Sequence, residues 1–102
     1  MIIPKGDYGV NRITGTLQNA DGTVFNPTTY TVTFKCWRQT IPEAVLFNRA
    51  GSVVSGVAGT VAVSVLSTDF IAAENLLGCW QCTKAGEQIT FGPIIVTVTE
   101  NP

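Results

Sequence analysis

The chain reads as an all-β protein, a single antiparallel β-sandwich of seven to eight short strands with one short helical turn near residues 67–75. Three runs in its second half carry that reading: Thr60-Val-Ala-Val-Ser-Val-Leu66, Gly78-Cys-Trp-Gln-Cys-Thr83 and Pro93-Ile-Ile-Val-Thr-Val-Thr99. Each alternates large apolar with small or polar residues. Successive strand side chains point to opposite sides, so such alternation makes one buried face. Composition agrees. The 102 residues make one domain, large enough to hold a core without metal or disulfide help. Charged residues make up only 13%, about half the usual quarter. The Thr, Val and Gly that replace them favour strands and turns over exposed helices.

Residues 1–9, punctuated by Pro4, Gly6 and Gly9, read as an extended N-terminal arm, and residues 10–100 as the sandwich domain. Arg12 to Gln18 is the first strand, with Ile13, Gly15 and Leu17 on one face. Asp21-Gly22 closes it as a turn dipeptide, and Asn26-Pro27 is a second turn. Tyr30 to Arg38 sets Tyr30, Val32, Phe34 and Cys36 toward the core and Thr31, Thr33, Lys35 and Trp37 away from it. Gln39 to Glu43, with Pro42, is a connection. Val45 to Asn48 and Ser52 to Ser55 are short strands around an Arg49-Ala50-Gly51 turn. Gly56 to Gly59 turns the chain into the strand carrying Val61, Val63 and Val65.

Ser67 or Thr68 can cap a short helical segment with Asp69 in its first turn. Phe70 and Leu76 or Leu77 would pin that segment onto the end of the sandwich. Trp80 and Cys82 take the core face of the next strand, and Cys79, Gln81 and Thr83 face away. Lys84 to Glu87 turns the chain and Gln88 to Phe91 returns it. Gly92-Pro93 then interrupts, before Ile94, Val96 and Val98 complete the core.

Charge excludes one class of partner. Six Lys or Arg stand against seven Asp or Glu, a net charge of −1, spread thinly. Nucleic-acid binding needs a basic patch to neutralise phosphates, and none is written here. No apolar run approaches a membrane span. The opening Met-Ile-Ile-Pro-Lys lacks the basic start and long apolar stretch of a signal peptide. The expectation is a soluble protein made inside a cell, with no membrane partner. So weakly charged a surface does little to keep copies apart, so self-association is expected.

Reaction chemistry is hard to find. Cys79-Trp-Gln-Cys82 has the spacing of a redox dithiol or half a zinc site. Redox use wants the first Cys at a helix N-terminus, whereas this one lies in a strand. Zinc wants four ligands, and beyond this pair the chain holds only Cys36 and no His. Cys36 and Cys82 both face the expected core. A bond between them across the sandwich is conceivable, as in immunoglobulin domains, but without a secretion signal two reduced, buried thiols are the favoured reading. Asp69 with Glu74, or Asp7 with Asp21, has no pocket to act in. The serines have no His to activate them. Gly56-Val-Ala-Gly59 lacks the Lys of a phosphate loop and suits a turn. No enzyme, no metal and no cofactor is the expectation.

The outward faces are more informative. Trp37 points away from the core if Phe34 and Cys36 point into it, and Ile95 does the same between Ile94 and Val96. With Tyr8 from the arm, these are the interface candidates. Trp37 has two readings at this stage: an interface anchor, or a ring tucked under a loop or the arm.

Together, three stretches resemble a phage family: Gly59 to Ala73, Leu77-Gly-Cys-Trp-Gln-Cys82 and Phe91-Gly-Pro-Ile-Ile-Val-Thr-Val98. So do the first strand ending in Asp21-Gly22 and the Tyr30-Thr-Val-Thr-Phe34 strand. The pattern, from about Gly6 to Glu100, is similar to the immunoglobulin-like N-terminal domain of phage baseplate upper proteins and related virion proteins. The resemblance implies an Ig-like sandwich with no catalytic residues, acting as a structural module of a tailed-phage particle. Baseplate upper proteins continue past this domain into segments that carry receptor-binding proteins, whereas this sequence stops at Pro102.

A free-standing copy is expected to decorate a capsid as a cement protein on the major shell protein. It would alternatively serve as a baseplate or tail accessory, with residues 1–9 as a docking arm. A second class of function is a host-surface or glycan-binding adhesion module, in which Trp37, Tyr8 and Trp80 would be stacking residues. Of these, Trp80 is the expected core member.

Overall fold

The computed structural model describes residues 1–40 and 42–100. Eight strands follow one another: β1 Ile2–Pro4, β2 Gly9–Thr16, β3 Thr31–Arg38, β4 Ala44–Ala50, β5 Ser52–Ser55, β6 Thr60–Val65, β7 Glu74–Lys84 and β8 Glu87–Thr99. They form a five-stranded sheet, β1-β8-β7-β3-β4, and a three-stranded sheet, β2-β6-β5. The chain crosses between sheets after β1, β2, β4 and β6, so the two inner faces are filled alternately along the sequence. The result is an all-β sandwich of two sheets.

The core is the set of residues that alternation selects. Val32, Phe34 and Cys36 from β3, and Leu76, Trp80 and Cys82 from β7, meet Ile13, Val61, Val63 and Val65 from the smaller sheet. Phe34 and Trp80 are register partners whose ring centroids lie 4.6 Å apart. Two glycines make room for the indole. A Cβ on Gly15 would lie 2.6 Å from Trp80 Nε1, and one on Gly51 would lie 3.3 Å from its Cζ3. Packing therefore fixes both positions, since a side chain at Gly15 would collide with the buried ring and one at Gly51 with Ala62 O, 2.7 Å from its Cβ.

Three local expectations change. The first concerns the arm, because Ile2–Pro4 is a strand paired in parallel with β8, Ile3 opposite Val98. Ile3 is only 1% exposed. The end of β8 offers an open backbone edge and the core has room for one more aliphatic group, so the segment docks on its own domain. The second concerns the helical turn. Among the described residues there is no helix; Ser67–Asp69 makes a single turn closed by Asp69 N–H donating to Leu66 O at 3.0 Å.

Strand β7 reaches back to Glu74, opposite Val98 of β8, and takes residues expected in the helical segment. Asp69 serves a different purpose from the expected helix start. Its carboxylate accepts the Leu66 N–H at 2.7 Å and both Arg49 nitrogens, at 2.7 and 3.0 Å. The same guanidinium donates to Ser64 O, so one half-buried pair ties β4 to the end of β6.

The third change is at Gly92-Pro93, which bulges β8 without ending it, and the strand runs through from Glu87 to Thr99. Within the expected connection from Gln39 to Glu43, Ile41 lies outside the described residues.

Candidate functional site

Register brings two of the three interface candidates into one row. On the outer face of the five-stranded sheet, Val45 pairs with Trp37, Trp37 with Leu77, and Leu77 with Ile95. With neighbouring strands about 4.8 Å apart, Trp37 and Ile95 sit about 10 Å from each other across Leu77. The four residues form an apolar rung across four adjacent strands. Val45 is 53% exposed and Ile95 61% exposed, while Trp37 and Leu77 are half-buried between them. Ile2, opposite Thr97 and 72% exposed, extends the apolar surface at the β1 edge.

This bears on the open question about Trp37. The N-terminal segment does not shield it, because β1 is bound at the far side of β8. The ring carries a cation instead: Lys35 Nζ lies 5.1 Å from its centroid and 3.6 Å from the Glu43 carboxylate. The charges at this end are thus paired with each other, and the centre of the rung is left apolar.

Tyr8 stands apart from that row. It lies just ahead of β2, is 66% exposed and lines a separate cleft of about 560 Å³ with Val10, Leu66 and Thr68. Val45, Leu77 and Ile2 are the members that sequence reasoning missed. Leu77 was readable: once Leu76, Trp80 and Cys82 alternate inward, residue 77 must face out. Val45 was not, since its pairing with Trp37 depends on a bulge between Cys36 and Trp37 in the β3–β4 ladder.

The cysteines are buried and unbonded. Cys36 is opposite Gly78 and Cys82 opposite Val32 on adjacent strands of one sheet. They therefore lie about 13 Å apart along the ladder, too far for a disulfide and not across the sandwich as the sequence allowed. Cys79 and Cys82 point to opposite faces, as positions i and i+3 on a strand must. Burial raises the Cys82 thiol, and burial outweighs the opposing pull of Lys35 at Cys79. Both thiols are thus held in the less nucleophilic form. Among the described residues no His, Cys, Asp or Glu group of three or more is gathered to hold a metal ion.

No protein-family model, curated protein or solved structure matches the chain.

Proposed function

We propose that the chain is a structural protein of a tailed-phage virion, a capsid decoration or cement protein that docks on the major shell protein through the outer face of its larger sheet. The observation that carries this reading is the rung Val45–Trp37–Leu77–Ile95, a continuous apolar row left uncovered on a sheet whose other face is a complete core. A central aromatic flanked by aliphatic groups and rimmed by paired charges is the make-up of an interface anchor. The particle itself is suggested by the resemblance of the strand sequences to virion domains, and the same surface would serve a baseplate or tail accessory.

An adhesion module that stacks sugars is less well supported. Trp80 is 3% exposed and committed to the core, while Trp37 lies in β3 and Tyr8 precedes β2 of the other sheet. These three residues therefore form no shared platform.

Quantitative mass spectrometry of purified particles tests the proposal by counting this chain against the shell protein. A copy number comparable to the shell protein supports decoration. One lower by an order of magnitude moves the chain to the baseplate or tail, and absence from the particle overturns the virion reading.

A further inference from the structure

The flank of the sandwich between β2 and β8 is open. Strand β2 is the end of its sheet. On the other bank, β1 covers the edge of β8 only at Thr97, Val98 and Thr99, which leaves the stretch before Ile95 without a neighbour on that side. Between these two edges lies a cleft of about 590 Å³ reaching from Met1 and Ile95 to Thr16 and Phe91. A second cleft, of about 520 Å³, continues it to Asn19 and Ile89 and shares Thr16, Phe91 and Gly92 with the first. Together they make one groove that follows β8 for about 20 Å. Neither part is lined by an Asp, Glu, Lys or Arg side chain, and the Met1 ammonium at the groove's end donates to Ile95 O at 3.0 Å.

A buried donor opens into this groove. Trp80 is 97% buried, yet its ring lines the first cleft, and its Nε1 abuts Gly15. The indole N–H meets no hydrogen-bond acceptor among the described residues, while no fully buried side-chain polar atom there lacks a partner. The N–H is therefore reached from the groove and not sealed in the core. Gly15 is what exposes it.

We infer that this groove binds an extended segment of a partner polypeptide, added as a further strand along β8 where β1 leaves off. Two strand edges present backbone groups that a compact ligand cannot satisfy together, whereas an extended chain meets them residue by residue. The groove also prolongs an edge that already accepts a parallel strand, β1. Leu17, Phe91 and Ile94 on its floor call for apolar side chains at alternate positions of the guest. A guest carbonyl would accept the Trp80 N–H. This inference does not depend on the virion proposal, since it uses a different surface and names no particle.

The test uses the intact chain, isotope-labelled for NMR, and a library of uncharged eight-residue peptides with apolar residues at alternate positions. Scrambled peptides of the same composition are the controls. The expected result is that alternating peptides bind, shift the Trp80 indole N–H and the amides of residues 14–17, 89–92, 94 and 95, and leave the Trp37 indole unmoved. Gly15→Ala would push a methyl against Nε1 and abolish binding. Because that variant can also disturb the core, Thr16→Arg is the second. Thr16 is exposed and lines both parts of the groove, so the arginine should keep the fold and weaken binding at least tenfold, about 1.4 kcal/mol. Three results would each overturn the inference: no library member binding below about 1 mM, equal binding by scrambled peptides, or shifts confined to the Trp37 face.

Discussion

Trp80 and Trp37 sit on neighbouring strands of the same sheet, in segments of similar composition, and meet opposite fates. Trp80 faces inward, where Gly15, Gly51 and Phe34 shape a pocket for its ring. Trp37 faces outward with Lys35 over its ring and aliphatic partners on both sides. Nothing about a tryptophan decides between these places. Parity along the strand does, because one step in register exchanges the faces. The same sheet thus buries one indole in the core and leaves the other at its surface. The two faces can be tested separately.

The largest effect belongs to the inner face. Trp80→Ala removes a buried indole that touches both sheets and should destabilise the domain by about 3–5 kcal/mol, read from chemical denaturation. A loss under about 1 kcal/mol would mean that the inner face does not depend on this ring.

A smaller inner-face effect comes from the thiol of Cys36. Burial, helped by the carboxylates of Asp69 and Glu74, pushes it up to about 12 from 9.0. Above the ordinary thiol range the unfolded chain gives up this proton while the folded chain keeps it. Stability is therefore full below pH 9 and declines as pH rises toward 12, by about 1.4 kcal/mol per unit. Between pH 9 and 10.5 the loss should be about 2 kcal/mol. Cys36→Ala, compared over the same range, should flatten that slope. An unchanged slope would assign the alkaline loss to other groups.

Gly78→Ala probes how tightly the inner face is filled. Gly78 faces the core opposite Cys36, and an added methyl would run into the Phe34 ring. Overpacking of this kind costs about 1–3 kcal/mol, and thermal denaturation should show it. A neutral result would mean that the Phe34 ring shifts aside freely.

Much of this division was legible before the structure. The inward sets Val32-Phe34-Cys36, Val61-Val63-Val65 and Val96-Val98 follow from two-residue periodicity alone, and the outward placement of Trp37 and Ile95 follows with them. Their meeting in one row did not follow, because sequence periodicity sets the face but not which strands are neighbours. Ile3 was read as part of an arm because three residues are too short to show alternation. Asp69 was misread because an acidic residue in a helix's first turn and a carboxylate clamped by a distant Arg49 look alike in sequence. The groove beside Gly15 was invisible for a related reason: it is made by two strand edges from different sheets.

The smallest effect on stability, and the one closest to function, is on the outer face. Trp37→Ala removes a half-buried ring from a surface where solvent can replace it. It should cost the fold less than about 1 kcal/mol, as surface substitutions do. Its partner Ile95 is 61% exposed, and Ile95→Ser should be milder still. Both should weaken association with the particle, or between copies of the chain, with the loss centred on Trp37 because aromatic anchors dominate such contacts. Co-sedimentation with particles lacking the native chain measures this, and denaturation of the same variants gives the fold's share. If Trp37→Ala lowers stability as much as Trp80→Ala does, the outer face belongs to folding and the docking surface must be sought elsewhere. If stability holds and co-sedimentation is unchanged, the rung is ordinary exposed surface. Only intact stability with lost association leaves the two tryptophans with two separate functions.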